Sequence, residues 1–266
     1  MNLSISNIAW SQIYDDDMYN FLSKHKINGL EIAPTRIFPN EPYEDLEKAI
    51  LFSKMLKNSY GLSVSSMQSI WYGVTESIFG SDDSRQFLVA HTEKAVDFAV
   101  AVGCTNLVFG CPKNRNVHSD MEPDVYLPIV CDFFNRIGSY AAKYGVCISI
   151  EPNPPIYNTN FINTTLEAFN ICKDINNPGI KVNVDVGTII HNNETLDILT
   201  DNINLINHVH ISEPNLIPIE HRLLHKDLIQ ELLNANYNKF LSIEMGNKND
   251  IELVKKTIMY VKELVL

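Results

Sequence analysis

The chain predicts a single (β/α)8 TIM barrel, and three observations carry that prediction. Strand-like and helix-like stretches alternate eight times along 266 residues, and barrels of this kind commonly close as one domain at ~250 residues. The last four strand-like segments each end in one metal-capable residue, Glu151, Asp185, His210 and Glu244. These are separated by 34, 25 and 34 residues, each close to one βα unit of ~30 residues. Strand parity is the third observation, because successive side chains of a strand point to opposite faces. Ser149 shares a face with Glu151, Asn183 with Asp185, His208 with His210 and Ser242 with Glu244, while Ile, Val and Leu fill the alternate positions. All four metal-capable residues therefore belong to the polar set that lines a barrel interior, at its C-terminal rim.

The elements follow in order. The first strand is expected over Leu3 to Ala9, followed by a helix from Asp15-Asp16-Asp17, whose carboxylates suit a helix N-terminus. Gly29 to Ala33 reads as the second strand, with a helix from Tyr43 to Tyr60 stopped at Gly61. Leu62 to Gln68 is the third strand, then a long loop holding Trp71, Tyr72 and Gly80 leads to a helix from Ser84 to Val102. Asn106 to Gly110 is the fourth, with the loop Cys111-Pro112-Lys113-Asn114-Arg115 before a helix from Asp124 to Tyr144. The remaining strands begin near Val146, Ile180, Ile206 and Lys239. Their helices are expected at Thr165–Ile175, Glu194–Asn204, Leu223–Ala235 and Asp250–Leu264. No glycine-rich phosphate fingerprint follows the first strand, which weighs against an open doubly wound sheet.

Composition narrows the function classes. A net charge of −11 opposes a phosphate-backbone footprint, so no nucleic-acid partner is expected. Five cysteines without a C-x-x-C pair indicate neither a disulfide framework nor a thiolate zinc cluster, and read as buried small hydrophobes in a reducing compartment. No stretch reaches the ~18 apolar residues of a membrane span and the N-terminus lacks a signal pattern, so the expectation is a cytoplasmic protein with no membrane partner.

Three carboxylates and one imidazole make a donor set for one borderline-to-hard divalent ion, with Mn, Mg, Co and Zn all acceptable. Around it, Glu31 and Gln68 end the second and third strands on the same rim and are candidates to bind substrate hydroxyls. Lys113 and Arg115 lie just beyond strand four, where two cations could clamp a phosphate or carboxylate, against the plainer reading of a solvated basic turn. Arg222 and His225 follow strand seven by a short loop and could reach the substrate, with a place at the start of the seventh helix as the duller explanation. Trp10, Trp71 and Tyr72 could form an apolar wall for a substrate ring. Exposed Tyr72 and Phe79 would suit a homo-oligomer contact or a lid. His208, a layer below His210, reads as structural, and Pro152 with Pro154-Pro155 stiffens the loop leaving strand five.

The segments Ile150-Glu151-Pro152-Asn153, Val184-Asp185-Val186-Gly187, His208-Val209-His210-Ile211-Ser212 and Leu241-Ser242-Ile243-Glu244 together resemble the xylose-isomerase-like TIM barrels. That family includes ketose 3-epimerases, hydroxypyruvate isomerase, inosose dehydratase and endonuclease IV. Gly29-Leu30-Glu31-Ile32 and Val108-Phe109-Gly110 are similar as well, and the likeness spans essentially the whole chain. It implies that Glu151 and Glu244 both hold the metal and flank the substrate, one removing a proton next to a carbonyl and the other returning it, through an enediolate. Asp185 and His210 would serve as ligands only.

The implied activity is a metal-dependent isomerase or epimerase acting on a small-molecule sugar or sugar phosphate. A dehydratase of the inosose type is the nearest alternative, and a phosphodiester hydrolase or a non-catalytic sugar-binding barrel stands further off. Thr188 occupies the place where several members carry a histidine three residues after the strand-six aspartate. The extra histidines of a trinuclear nuclease site are missing from Met67-Gln68-Ser69 and Gly110.

Overall fold

The computed structural model describes residues 1–265. Eight strands close a parallel barrel in sequence order: β1 (Asn2–Ser6), β2 (Gly29–Ile32), β3 (Ser63–Met67), β4 (Asn106–Phe109), β5 (Cys147–Ile150), β6 (Ile180–Asp185), β7 (Ile206–Ile211) and β8 (Phe240–Ile243). β1 pairs with β8 to complete the ring, Ser4 facing Ser242. The principal helices outside the ring are α1 (Asp15–Lys24), α2 (Leu46–Met55), α3 (Asp82–Val102), α4 (Pro123–Lys143), α5 (Thr165–Ile175), α6 (Val186–Asn192), α7 (Leu223–Asn234) and α8 (Ile251–Val265).

The apolar parity set packs between strands and helices. Ile148, Ile150, Val182, Val184, Val209, Ile211, Leu241 and Ile243 are all fully buried. The polar set fills the interior and satisfies itself by hydrogen bonds, as burial demands. Ser149 Oγ donates to Asn106 Oδ1 at 2.5 Å, Asn106 Nδ2 donates to Ser66 Oγ at 2.9 Å, and the hydroxyls of Ser4 and Ser65 meet at 2.6 Å. Under β4, Trp71, Phe109, Phe134 and Phe133 pack edge to face, with ring centres 4.8, 5.0 and 5.5 Å apart in sequence. This geometry suits the aromatic quadrupole and fixes the base of the loops after β3 and β4.

Two expected helices differ in the structure. The helix awaited over Tyr43 to Tyr60 begins at Leu46, because Asp45 accepts the Lys48 amide at 3.0 Å as an N-cap. It ends in a π turn over Leu56–Tyr60, with Gly61 left-handed at φ 69°. The helix awaited over Glu194–Asn204 is replaced by α6, which starts directly at Val186 and is followed by short turns at Asp197–Thr200 and Ile203–Leu205. The cause is Asp185, which ends β6 and also caps α6 by accepting the Thr188 amide at 2.8 Å. Phe79, expected at the surface, is buried against Tyr126 and Phe161. Of the cysteines only Cys104 and Cys172 are buried; Cys111, Cys131 and Cys147 are partly exposed, and all five thiols are free. Among the described residues, no helix is long and apolar enough to cross a membrane.

Candidate functional site

Glu151, Asp185, His210 and Glu244 meet at the C-terminal mouth, with one donor atom from each lying within 4.8 Å of all the others. Two of them sit one residue past a strand and are held there by main-chain bonds. The Glu151 amide donates to Phe109 O at 3.0 Å and the Glu244 amide to Ile211 O at 2.9 Å. His210 Nδ1 lies 2.9 Å from Glu151 Oε1 and 3.2 Å from Glu244 Oε2, so the imidazole stands between the two glutamates. Its other nitrogen, Nε2, is 2.9 Å from Glu31 Oε2, and His208 Nε2 is 3.0 Å from the same oxygen. Glu31 is fully buried and does not reach the cavity where a substrate hydroxyl would lie. It is the buried partner that fixes the His210 tautomer, leaving Nδ1 to face the cluster.

The surroundings aim each carboxylate. Asn153 Nδ2 donates to Glu151 Oε2 at 3.1 Å and Asn183 Nδ2 to Glu151 Oε1 at 2.7 Å. Gln68 Nε2 donates to Glu244 Oε1 and to Ser6 Oγ, both at 2.9 Å, so Gln68 reaches the cluster and lines its cavity. Asp185 accepts from Ser212 on one oxygen and from the Thr188 amide and hydroxyl, each 2.8 Å away, on the other. Thr188 thus binds the aspartate from the place where the family resemblance expects histidine. Gly110 leaves room for this carboxylate: a Cβ on it would stand 2.7 Å from Glu151 Oε2 and make it shift.

Charge crowding perturbs the group. Burial and the Glu151 charge push Asp185 up to about 6, and burial, with the repulsion of Glu151 and Glu31, pushes Glu244 up to about 7. Burial would also raise Glu151, but hydrogen bonds from His210 and Asn153 and the His210 charge outweigh it and hold that carboxyl below its usual range. Three carboxylates crowded around one imidazole, with their outer oxygens tied down, form a donor set that fits a divalent ion.

Several predicted substrate contacts lie elsewhere. Arg115 is fully buried and donates to Glu151 O at 3.0 Å, Asn153 Oδ1 at 2.9 Å and Ile162 O at 3.3 Å. It is a brace for the loop leaving β5 and has no free guanidinium for a phosphate. Ile162 is held in the left-handed region at φ 57°, an unusual state for a β-branched residue, and its carbonyl is bound by both Arg115 and the Asn153 amide. Arg222 is engaged by both oxygens of buried Glu213 at 2.7 Å and by Glu220 at 2.7 Å, beside a separate cleft near Ile189 and Asn193. Trp10 is buried, donates to Asp15 at 2.8 Å and lies beneath Arg36, away from the cluster. His225 is buried in α7. Lys113 is exposed and lines a neighbouring cleft.

The cavity over the cluster holds about 180 Å³ and is lined by Gln68, Glu151, Asp185 and Glu244 together with Asn153, Cys111, Tyr157 and Leu216. Asn183 was readable in principle, since it lies two residues before Asp185 on the same face of β6, whereas Asn153 lies beyond the end of β5, where strand parity no longer applies. Tyr157 and Leu216 arrive on loops with no periodic signal.

A closed eight-stranded parallel barrel with this cluster at its C-terminal mouth defines the class. The model of the xylose isomerase-like TIM barrel family matches residues 20–264, and the chain belongs to that family. No curated protein matches it in sequence. Among solved structures, it is similar to 3-keto-D-glucoside 4-epimerase from E. coli, at 18% identity and TM-score 0.79, over 99% of both chains. It is likewise similar to D-psicose 3-epimerase at 15% identity and TM-score 0.79, over 100% and 99%. The probable 3-DHS dehydratase from Bacillus anthracis is similar at 15% identity and TM-score 0.75, over 98% and 99%. At such identities the likeness establishes the fold alone.

Proposed function

We propose that this protein is a divalent-metal-dependent isomerase or epimerase of a sugar or sugar derivative, working by proton transfer between two glutamates. The observation that carries the reading is the placement of Glu151 and Glu244 on either side of His210 Nδ1, 2.9 and 3.2 Å away, beneath a small cavity that both carboxylates line. Glu151, Asp185, His210 and Glu244 would hold the ion. When bound, the ion supplies electrostatic stabilisation of the negative charge that develops on substrate oxygens.

The chain's own residues do the rest. A carbon next to a carbonyl, placed between the two glutamates, loses its proton to one carboxylate and regains one from the other on the opposite face. Asn153 and Asn183 hold Glu151, and Gln68 holds Glu244, so that neither carboxylate turns away. Asp185, with its oxygens committed to Ser212 and Thr188, orients and does not transfer a proton.

Loss of water by the same proton abstraction is the second reading, and similarity to a probable dehydratase keeps it in view. Incubation of Mn-loaded protein in D2O with a panel of ketoses and aldoses, read by NMR and mass, tests both. Deuterium appears at a carbon adjacent to the carbonyl, with the mass otherwise unchanged. Glu151→Gln or Glu244→Gln lowers the epimerisation rate ~10²–10⁴-fold. Activity that survives both substitutions together defeats the proton-transfer mechanism, and a product lighter by one water assigns the dehydratase reading.

A further inference from the structure

The cluster cavity, at about 180 Å³, is smaller than the ~300–1,000 Å³ of most small-molecule sites. It does not end at its own walls. Ser69, Cys111 and Pro112 are shared with an adjoining cleft of about 500 Å³ that runs between the loops after β3 and β4. The two chambers differ in chemistry. The first is lined by carboxylates and amides. The second is walled by Trp71, Tyr72, Gly73, Val74 and Pro112, with Thr75 and Lys113 among its few polar groups.

The second chamber is built rather than incidental. Trp71 is buried with its indole N–H donated to Thr92 Oγ1 at 3.0 Å, so it meets any occupant as an apolar surface. Asn114 Nδ2 donates to Val74 O at 3.0 Å and Glu76 O at 2.8 Å, and the Ile78 amide donates to Asn114 O at 2.9 Å. These bonds staple one wall to the other. Tyr72 stands on the open edge at 74% exposure, a large ring left to solvent where a stacking partner would cover it. Cys111, at the junction, is held in the left-handed region at φ 44°, a strained non-glycine conformation of the kind that collects at binding sites.

We propose that the substrate is a substituted sugar: its carbonyl-bearing ring or chain occupies the cluster cavity, and a second, flat ring with an apolar face occupies the annex beside Tyr72 and Val74. This rests on the reading of the cluster as a sugar site, and it excludes a free monosaccharide as the preferred substrate. The reaction is unchanged: one C–H bond breaks to a glutamate, one re-forms, and no oxidant or co-reactant enters. A hydroxyl-rich monosaccharide leaves the annex to water, whereas a ring substituent buries apolar area there and gains affinity.

Calorimetric titration of Mn-loaded protein with D-fructose, its O1- and O6-phenyl ethers and a phenyl 3-keto-glucoside tests this, alongside proton exchange into D2O. At least one ring-bearing compound binds tenfold or more tightly than fructose, about 1.4 kcal/mol. Val74→Phe, which fills the annex, removes that gain and leaves fructose within twofold. Tyr72→Ala removes part of it. Equal affinity for all four compounds overturns the proposal, as does a Val74→Phe variant that weakens fructose and the ring-bearing compounds alike. Ring preference without proton exchange retains the annex and defeats the proton-transfer reading; exchange without ring preference does the reverse.

Discussion

The two halves of the barrel divide the work. β5 to β8 supply all four donors of the cluster, Glu151, Asp185, His210 and Glu244. β1 to β4 supply none, yet together with the loops that follow them they hold or make room for three of the four. Glu31 on β2 holds His210 Nε2, Gln68 after β3 holds Glu244, Gly110 after β4 leaves room for Glu151, and Arg115 in the following loop braces the Glu151 main chain. The comparison teaches that a donor set is inert geometry until the opposite wall fixes its tautomers and rotamers, and that this wall carries energy of its own.

The largest test of this division is Glu31→Gln. The amide keeps an acceptor oxygen but loses the negative charge that both imidazoles face, and its N–H2 can turn toward His210, so the ring loses the charged partner that fixes its tautomer. Metal affinity falls ~10–100-fold, measured by competition against a chelator, although no donor has been touched. Unchanged affinity would mean that the first half of the barrel is merely scaffold. Gly110→Ala acts by space alone. Its new Cβ lies 2.7 Å from Glu151 Oε2, so the carboxylate must swing off its bond from Asn153. Affinity drops by about tenfold, at the lower end of such supporting-shell effects, with the melting temperature nearly unchanged.

The same division explains what the sequence reveals. Donor positions in β5 to β8 are legible because two local rules, the βα repeat length and strand parity, both mark them. Fold and strand order follow from the same repeat. The supporting wall is not legible, because its contacts cross the barrel: Gln68 and Glu244 are 176 residues apart, and His210 and Glu31 are 179 apart. Thus Glu31, Arg115 and Arg222 look like substrate contacts from their rim positions, while the structure gives each a buried or paired partner. Helix ends fail for a local reason. Asp185 acts both as a strand end and as a helix cap, and no hydrophobic period records that switch.

Histidine offers the finest contrast between the cluster and the outer shell. Burial lowers the affinity of His210 for a proton, but the Glu31 and Glu244 charges and the bonds to Glu151 and Glu244 raise it well above the usual value. His225, in α7, is equally buried but has only the Tyr260 hydroxyl at 3.2 Å from Nδ1, and its Nε2 has no partner among the described residues. Burial therefore drives its pKa down to about 4. In the unfolded chain that imidazole titrates near ~6.5. Between those values the unfolded state binds a proton that the folded state refuses, so stability rises with pH across the window. It is fully present above about 6.5 and is lost as pH falls toward about 4, by on the order of 1–3 kcal/mol. The cluster acts with the opposite sign, because Asp185 and Glu244, raised to about 6 and about 7, take up protons in the folded state over the same range and favour it at low pH. The His225 contribution is therefore read as a difference: urea unfolding at steps between pH 4 and 7 shows stability rising less with pH in His225→Leu than in the native chain, with metal affinity at pH 7 unaltered. Identical pH dependence in the two proteins would overturn the assignment to His225.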